Sequence, residues 1–173
     1  MVSAFSQPRG FIKAAIPGYP AIILVPKRSK PILGSPPIPE SILREHLNSM
    51  QPGKIVPEAT PPERMKILIS VGQTETIHKY YGTAEKHDIW KLLEKADDTP
   101  YMLILHGQED TAVPIEDNVD WVAAARKKFG EGKIKLHIEP GAEHGFDSAV
   151  PLETAWLQEA LKPITAHWLG LQD

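Results

Sequence analysis

Proline is the residue that most constrains how this chain can fold. Seventeen of the 173 residues are proline, and eleven of those lie between Pro17 and Pro62. That is about twice the usual share of proline for the whole chain. Because each proline fixes φ and lacks an N–H donor, the stretch can form neither a long helix nor a central strand. It predicts short helices joined by extended loops.

Three such helices are indicated between residues 21 and 98. Thr60 and Glu63 form a capping box with prolines between them, so a helix is predicted from Thr60 to about Gly72. Its apolar stripe would be Met65, Leu68 and Ile69. Two more stripes have helical spacing, one at Leu43, Leu47 and Met50 and the other at Ile89, Leu92, Leu93 and Ala96.

The flanks of this region predict a parallel sheet. Three strand candidates are FIKAAI from Phe11, YMLIL from Tyr101 and KIKLHI from Lys133. Helical stripes follow the second and third strands, at Val119, Val122, Ala125 and Phe129 and at Leu157, Leu161, Ile164 and Trp168. Pro163 predicts a kink or break in the last helix. Strand, helix, strand, helix in this order indicates an α/β fold with right-handed crossovers.

Composition excludes several function classes. A net charge of −3 argues against nucleic acid as a partner, and the chain has no cysteine for disulfides, thiolate catalysis or zinc ligation. The longest apolar run is far too short to span a membrane. We therefore expect a cytoplasmic protein that acts on a small-molecule substrate or ligand, with no cofactor and no metal.

Two loops carry the candidate chemistry. Asp110 lies in HGQEDTAVP after the second strand, and His144 lies in EPGAEHGFD after the third. In open α/β sheets, ligands bind at the carboxyl ends of the strands, so side chains on these two loops can meet there. An aspartate that contacts a histidine fixes its tautomer and stabilises its charged form, as in a Ser-His-acid triad.

At these residues the sequence resembles the C-terminal part of the α/β-hydrolase superfamily, especially its esterase, lipase and S9-peptidase-like members. His106 to Pro114 resembles the acid loop, which implies that Asp110 is the triad acid. Pro140 to Phe146 resembles the histidine loop, which implies that His144 is the general base. QPRGFIKAAIPGYP is similar to the segment after the nucleophile helix, and the proline-rich stretch lies where the family inserts a cap, or lid.

The resemblance implies a partial fold. The family places its serine in a G-x-S-x-G elbow ahead of the acid and histidine loops, and no such elbow occurs in these 173 residues. Ser70 has only half of the motif, and Ser148 follows the histidine. The expected organisation is a first strand region at 1–20, a cap-like insertion at 21–98, and a C-terminal core of the hydrolase fold at 99–173.

Simpler interpretations stay open for single residues. Asp110 alone could be a turn or N-cap aspartate, His144 a hydrogen-bonded loop residue, and His106 a packing residue beside Gly107. A metal site formed by His106, Asp110 and His144 is also conceivable, although the sequence has no His-x-x-x-His spacing.

Three functions fit the sequence. The first is a carboxylic-ester hydrolase whose serine comes from outside these residues. The second is a lyase, isomerase or cyclase that uses His144 and Asp110 as general acid or base. The third is a noncatalytic remnant that binds a ligand or a partner. The missing half would also leave the outer edge of FIKAAI unpaired, so we expect a homo-oligomer or a complementing chain at that edge. The alternative is that the proline-rich stretch from Pro20 to Pro57 folds back to cover the edge.

Overall fold

The structure is a computed structural model that describes residues 1–22, 28–49, 63–75 and 88–171. Its α-helices are α1 Val2–Ser6, α2 Glu40–Ser49, α3 Glu63–Gln73, α4 Ile89–Lys95, α5 Ile115–Phe129 and α6 Ala155–Leu169. Its strands are β1 Ala14–Ala15, β2 Tyr101–Gly107 and β3 Ile134–Glu139, and two 3₁₀ turns lie at Ile32–Gly34 and Phe146–Ala149. Thr60 and Met50, each named in a predicted helix, lie outside the described residues.

Within the described residues, the three strands form one parallel sheet in the order β1-β2-β3. The α/β fold with a short parallel sheet is therefore confirmed. Helices α5 and α6 follow β2 and β3, as the stripes predicted. Among the described helices, none is long and apolar enough to span a membrane.

Strand β1 is shorter than the predicted strand FIKAAI, and Pro17 interrupts its ladder with β2 on the C-terminal side. The amide of Leu105 donates to the carbonyl of Pro17 at 3.0 Å, and the amide of Tyr19 donates to the carbonyl of Leu105 at 2.6 Å. Pro17 itself has no N–H to donate in return. The chain still runs beside β2 as far as Tyr19, which brings Tyr19 to the carboxyl end of the sheet.

The core lies on both faces of β2. Met102 and Ile104 point to one face, where Trp121 and Ile134 are also fully buried. Leu103 and Leu105 point to the other face of the sheet, under α6. Burial on both faces is typical of an unbroken apolar run such as YMLIL. Helix α4 contributes Ile89 and Leu93 to the first face, so its stripe packs on the sheet.

A second, smaller core joins α2 and α3. It consists of Leu43, Ile67 and Val71, with Ile42 and Leu47 packed against it. The predicted stripe of α3 was wrong: Met65 and Leu68 are exposed, and the buried face of α3 is Ile67, Ser70 and Val71. The reason is that α3 packs against α2 and the turn at 32–34, and these partners select its face. The predicted division at 21–98 stays a prediction.

The predicted apolar stripes of α5 and α6 were also wrong in part. In α5, Val119 is exposed, whereas Asn118 and Trp121 are buried. In α6, Trp168 is 63% exposed. A kink or a break was predicted at Pro163, and helix α6 runs through Pro163 without a break. Leu157 and Ile164, one on each side of Pro163, are both buried against the sheet, and this packing holds both halves of the helix in place.

Candidate active site

Asp110 is held in the loop after β2 by the backbone of its own turn. Its Oδ1 accepts hydrogen bonds from the amides of Ala112 at 2.9 Å and Val113 at 2.8 Å. The side chain is fully buried. Asp110 is therefore the turn aspartate that the simpler interpretation expected, and Oδ2 is left to contact the histidine loop.

The loop after β3 carries His144 to the same edge of the sheet. His144 Nδ1 lies 2.9 Å from Asp110 Oδ2. Because a carboxylate accepts, Nδ1 donates its hydrogen and Nε2 is the ring nitrogen left to act as a base. The imidazole is 29% exposed, so it can be reached from outside. The predicted contact between the two residues is present, and their catalytic roles stay a prediction.

Gly107 and Ala142 bring the two loops into close contact. A Cβ at Gly107 would clash with the carbonyl oxygen of Ala142, so only glycine fits at this position. The amide of Glu109 donates to the same oxygen at 2.9 Å. Where the acid loop starts, the amide of Gln108 donates to the carbonyl of Glu139 at 3.0 Å. The backbone thus fixes the separation of Asp110 and His144.

His106 lies on the other side of Asp110 and is fully buried. Its Nε2 donates to the carbonyl of Val113 at 2.8 Å and lies 3.4 Å from Asp110 Oδ2. Burial lowers the pKa of His106, against the opposing effects of that carbonyl and of the Asp110 charge. His106 therefore supports the acid loop as a neutral donor.

The alternative of a metal site at His106, Asp110 and His144 does not fit this geometry. The nitrogen of His106 that faces the carboxylate already donates to a carbonyl, so it has no lone pair for a metal. In the described parts of the chain, no group of three or more histidine or acidic side chains is arranged to hold a metal ion.

Glu143 connects the two loops through its carboxylate. Oε1 accepts from the amides of Thr111 at 2.7 Å and His144 at 2.8 Å, and Oε2 accepts from the hydroxyl of Thr111 at 2.8 Å. Partial burial opposes ionisation, but these three bonds outweigh it and hold the pKa of Glu143 below its usual range. The sequence analysis assigned Glu143 no role.

Tyr19 is a site residue that the sequence analysis missed. Its ring centroid lies 4.1 Å from that of His144, and its hydroxyl donates to Asp147 Oδ1 at 3.0 Å. Burial raises the pKa of Tyr19, as do the bond to Asp147 and the charges of Asp147 and Asp110. Tyr19 has a φ of 30°, a strained conformation for a residue with a side chain. A sequence signal existed, because Tyr19 lies three residues after the end of the predicted strand FIKAAI.

A cavity of about 430 Å³ is lined in part by the acid loop. Arg28, Lys30, Glu109 and Glu116 are among its lining residues, and His144 is not. The cavity therefore lies beside Asp110 but does not present the exposed imidazole to a ligand. It is not the best candidate for a substrate pocket.

The two serines considered from the sequence do not serve His144. The hydroxyl of Ser148 donates to the carbonyl of Gly145 at 2.8 Å. Ser70 is fully buried in α3, and its hydroxyl has no hydrogen-bond partner among the described residues. Neither hydroxyl has a hydrogen bond to His144 in the described part of the chain.

Comparison with known proteins places these features in a family. The model of the prolyl oligopeptidase family matches residues 68–163, which are 96 of the 173 residues. A probable carboxylesterase M8 from a Phoma species is 21% identical over 96% of this chain. The chain spans 55% of that relative's length.

A solved structure is also similar. The monoacylglycerol lipase of Paleococcus ferrophilus matches 95% of this chain and 62% of its own, with 12% identity and a TM-score of 0.43. The family match covers more than half of the chain and includes both loops described above. The chain therefore belongs to the prolyl oligopeptidase family, and its short parallel sheet with flanking helices is part of an α/β-hydrolase fold.

Proposed function

We propose that this chain supplies the acid and the general base of a serine hydrolase that cleaves carboxylic esters. The observation that carries the proposal is the 2.9 Å contact between His144 Nδ1 and Asp110 Oδ2, with the aspartate buried and the imidazole partly exposed. Family membership supports a hydrolase, and the name of the Phoma relative, a probable carboxylesterase, supports an ester substrate.

In this mechanism, Nε2 of His144 takes the proton of a serine hydroxyl as the serine oxygen attacks the ester carbonyl. Asp110 holds the imidazole in the tautomer that leaves Nε2 unprotonated and stabilises the imidazolium that forms. His144 then returns the proton to the leaving alkoxide, which yields an alcohol and an acyl-enzyme. Water, activated by His144, releases the acid and restores the serine.

The serine in this proposal comes from outside these 173 residues, because they contain no G-x-S-x-G elbow. The natural place for it is beside β1. Within the described residues β1 pairs only with β2, and Phe11 nearby is 72% exposed. We propose that a further strand, from a complementing chain or from a second copy, pairs with this outer edge.

The segments 28–49 and 63–75 are proposed to act as a cap over the site. Arg28 donates two hydrogen bonds to the carbonyl of Ala112, at 3.2 and 3.0 Å, and the amide of Leu33 donates to Thr111 Oγ1 at 2.7 Å. These contacts bring the proline-rich region onto the acid loop. A cap at this position would restrict which esters reach His144.

A second candidate function is general acid-base catalysis without a serine. The observation that favours it is the position of the Tyr19 phenol beside His144, which puts two proton-carrying groups at one site. An imidazole with a carboxylate partner and a neighbouring phenol can serve a lyase or isomerase reaction.

The experiment starts with the full-length transcript that encodes Met1. The hydrolase proposal expects its reading frame, or that of a co-expressed partner, to encode a G-x-S-x-G elbow. The elbow-bearing protein should label with a fluorophosphonate probe and cleave p-nitrophenyl butyrate. His144→Ala should lower kcat by about 10⁴-fold or more. The matched control is His137→Ala, because His137 also pairs with a carboxylate, that of Glu139, at 2.9 Å.

The outcomes separate the two candidates. The 173-residue chain alone should neither label nor cleave the ester. Turnover of a substrate by this chain without labelling, lost in His144→Ala, would select the second candidate. An elbow-bearing protein that stays fully active after His144→Ala would refute the hydrolase proposal.

The edge proposal has its own measurement, which is light scattering at micromolar concentration. A second copy at the edge predicts a mass that rises with concentration above 19.2 kDa. A concentration-independent mass of one chain, with no gain on adding the elbow-bearing polypeptide, would contradict pairing at this edge.

A further inference from the structure

Glu143 makes its contacts at the point where the histidine loop meets the acid loop. One of its oxygens accepts from the backbone amide of His144, so the carboxylate holds the main chain of the residue whose ring contacts Asp110. The same carboxylate accepts from both the amide and the hydroxyl of Thr111. Glu143 therefore joins the residue that follows Asp110 to the proposed base.

Thr111 is also the contact point of the segment 28–34. Its hydroxyl oxygen accepts from the amide of Leu33 at 2.7 Å and donates its hydrogen to Glu143 Oε2 at 2.8 Å. Leu33 has a φ of 51°, so its backbone is strained in the conformation that makes this bond. A strained residue persists only where its surroundings over-determine it.

We propose that Glu143 is the positioning residue of His144, and that Thr111 links it to segment 28–34, so that docking of this segment sets the orientation of the imidazole against Asp110. The inference rests on the proposed function, since Glu143 is given its positioning role relative to His144 as the general base. The continuous path runs from Leu33 N through Thr111 Oγ1 and the Glu143 carboxylate to His144 N.

The physical reason is that two anchors fix the imidazole. Asp110 holds Nδ1 of the ring, and Glu143 holds the backbone amide of the same residue. A carboxylate bonded to three donors is a strong acceptor, because charge-assisted hydrogen bonds are about twice as strong as neutral ones. Without Glu143, the amides of Thr111 and His144 would lose this acceptor, and the loop could shift the ring away from Asp110.

The experiment is NMR on the full chain, with the Nδ1 proton of His144 as the probe. This proton reports the bond to Asp110 directly and requires no nucleophile or substrate. Glu143→Ala should increase its exchange with water by about tenfold, the effect of weakening one hydrogen bond. Glu143→Gln retains an amide oxygen as acceptor but no charge, so its effect should be intermediate.

The matched control is Glu139→Gln. Glu139 is also a partly buried carboxylate in this part of the chain, but its partner is His137 at 2.9 Å. This substitution should change the signals of His137 and leave the Nδ1 proton of His144 as in the wild type. A role that is merely structural would make both variants alter His144 alike.

Substitutions of Thr111 provide a second test, and they disturb the fold less than Glu143→Ala. Thr111→Val removes the hydroxyl, so the Leu33 amide should exchange about tenfold faster and the His144 Nδ1 proton should exchange faster as well. Thr111→Ser keeps the hydroxyl, so the exchange rates of the Leu33 amide and of the His144 Nδ1 proton should stay as in the wild type. If Glu143→Ala fails to fold, this pair decides the question.

The proposal is overturned if the exchange of the His144 Nδ1 proton with water is unchanged in Glu143→Ala. It is also overturned if this exchange is unchanged in Thr111→Val while the Leu33 amide exchanges faster. Failure of the proposed function looks different. In that case the NMR signals respond to Glu143 as described, but an elbow-bearing protein keeps its ester cleavage after His144→Ala.

Discussion

The region around the sheet and the proline-rich helical region differ in how they are held together. Around the sheet, a core that includes Met102, Trp121 and Ile134 is fully buried, and backbone hydrogen bonds join the loops at its edge. The helical pair α2 and α3 has a core of three buried residues. The rigid part therefore carries the proposed base, and the weakly held part contacts it through a few polar bonds.

The largest expected effect on the free energy of unfolding comes from substitutions in the two cores. Trp121→Ala should lower the free energy of unfolding by about 4 kcal/mol, because it leaves a large cavity in the sheet core. Leu43→Ala in the helical pair should lower it by about 2 kcal/mol. Urea denaturation measures both. Hydrogen exchange should rise in all three strands for the first variant and in α2 and α3 alone for the second.

Trp121→Phe is the control for that comparison. The indole nitrogen of Trp121 is buried without a hydrogen-bond partner among the described residues, so phenylalanine removes an unpaired donor and keeps most of the ring. It should cost much less than alanine. Equal losses for Leu43→Ala and Trp121→Ala would contradict the difference between the two regions.

Two glycines test the same difference with one substitution. Gly107→Ala should destabilise the chain by about 3 kcal/mol, because the new Cβ would meet the backbone carbonyl of Ala142, which cannot move away. Gly72→Ala in α3 should change stability by less than about 1 kcal/mol. There the Cβ meets only the Cδ1 atom of Ile32, the end of a flexible side chain.

Thermal and urea unfolding give both values, and Gly132→Ala serves as the control because its Cβ would have no neighbour within 4 Å. A larger loss for Gly72→Ala than for Gly107→Ala would show that the helical pair is the more tightly packed region.

A smaller effect is expected at Tyr19. Tyr19→Phe removes the hydrogen bond to Asp147 but keeps the ring beside His144, so it should lower the free energy of unfolding by about 1 kcal/mol. Asp147→Asn, which keeps an acceptor oxygen, is the matched variant and should lose less. If Tyr19→Phe is neutral, the phenol does not hold the histidine loop to the end of β1.

The smallest expected effect is a pH dependence at Glu143. Its pKa is lower in the folded chain than its ordinary value of 4.5, so the unfolded chain binds the proton more readily. The stability that Glu143 contributes is therefore complete above about pH 4.5 and is lost as the pH falls through the lower folded value. Unfolding midpoints measured between pH 7 and pH 3 should fall less steeply in Glu143→Gln than in the wild type. Parallel curves would contradict this.

Much of the fold could be predicted because it depends on local patterns. Strand β2 is an unbroken apolar run between Pro100 and Gly107, and such a run predicts a strand buried on both faces. The order of strands and helices then required parallel pairing. The contact of Asp110 with His144 could be expected for the same reason, since both residues lie in loops that follow strands ending at one edge of the sheet.

What the sequence alone determined is therefore the class of fold, the parallel order of the strands and the two loops that carry Asp110 and His144. Tertiary structure decided which face of α3 is buried, because packing against α2 selects Ile67 and Val71 over the equally apolar Met65 and Leu68. It also decided the partners of Tyr19 and Glu143. Their contacts join residues that are distant in the chain, and hydrophobic periodicity contains no information about polar contacts of that kind.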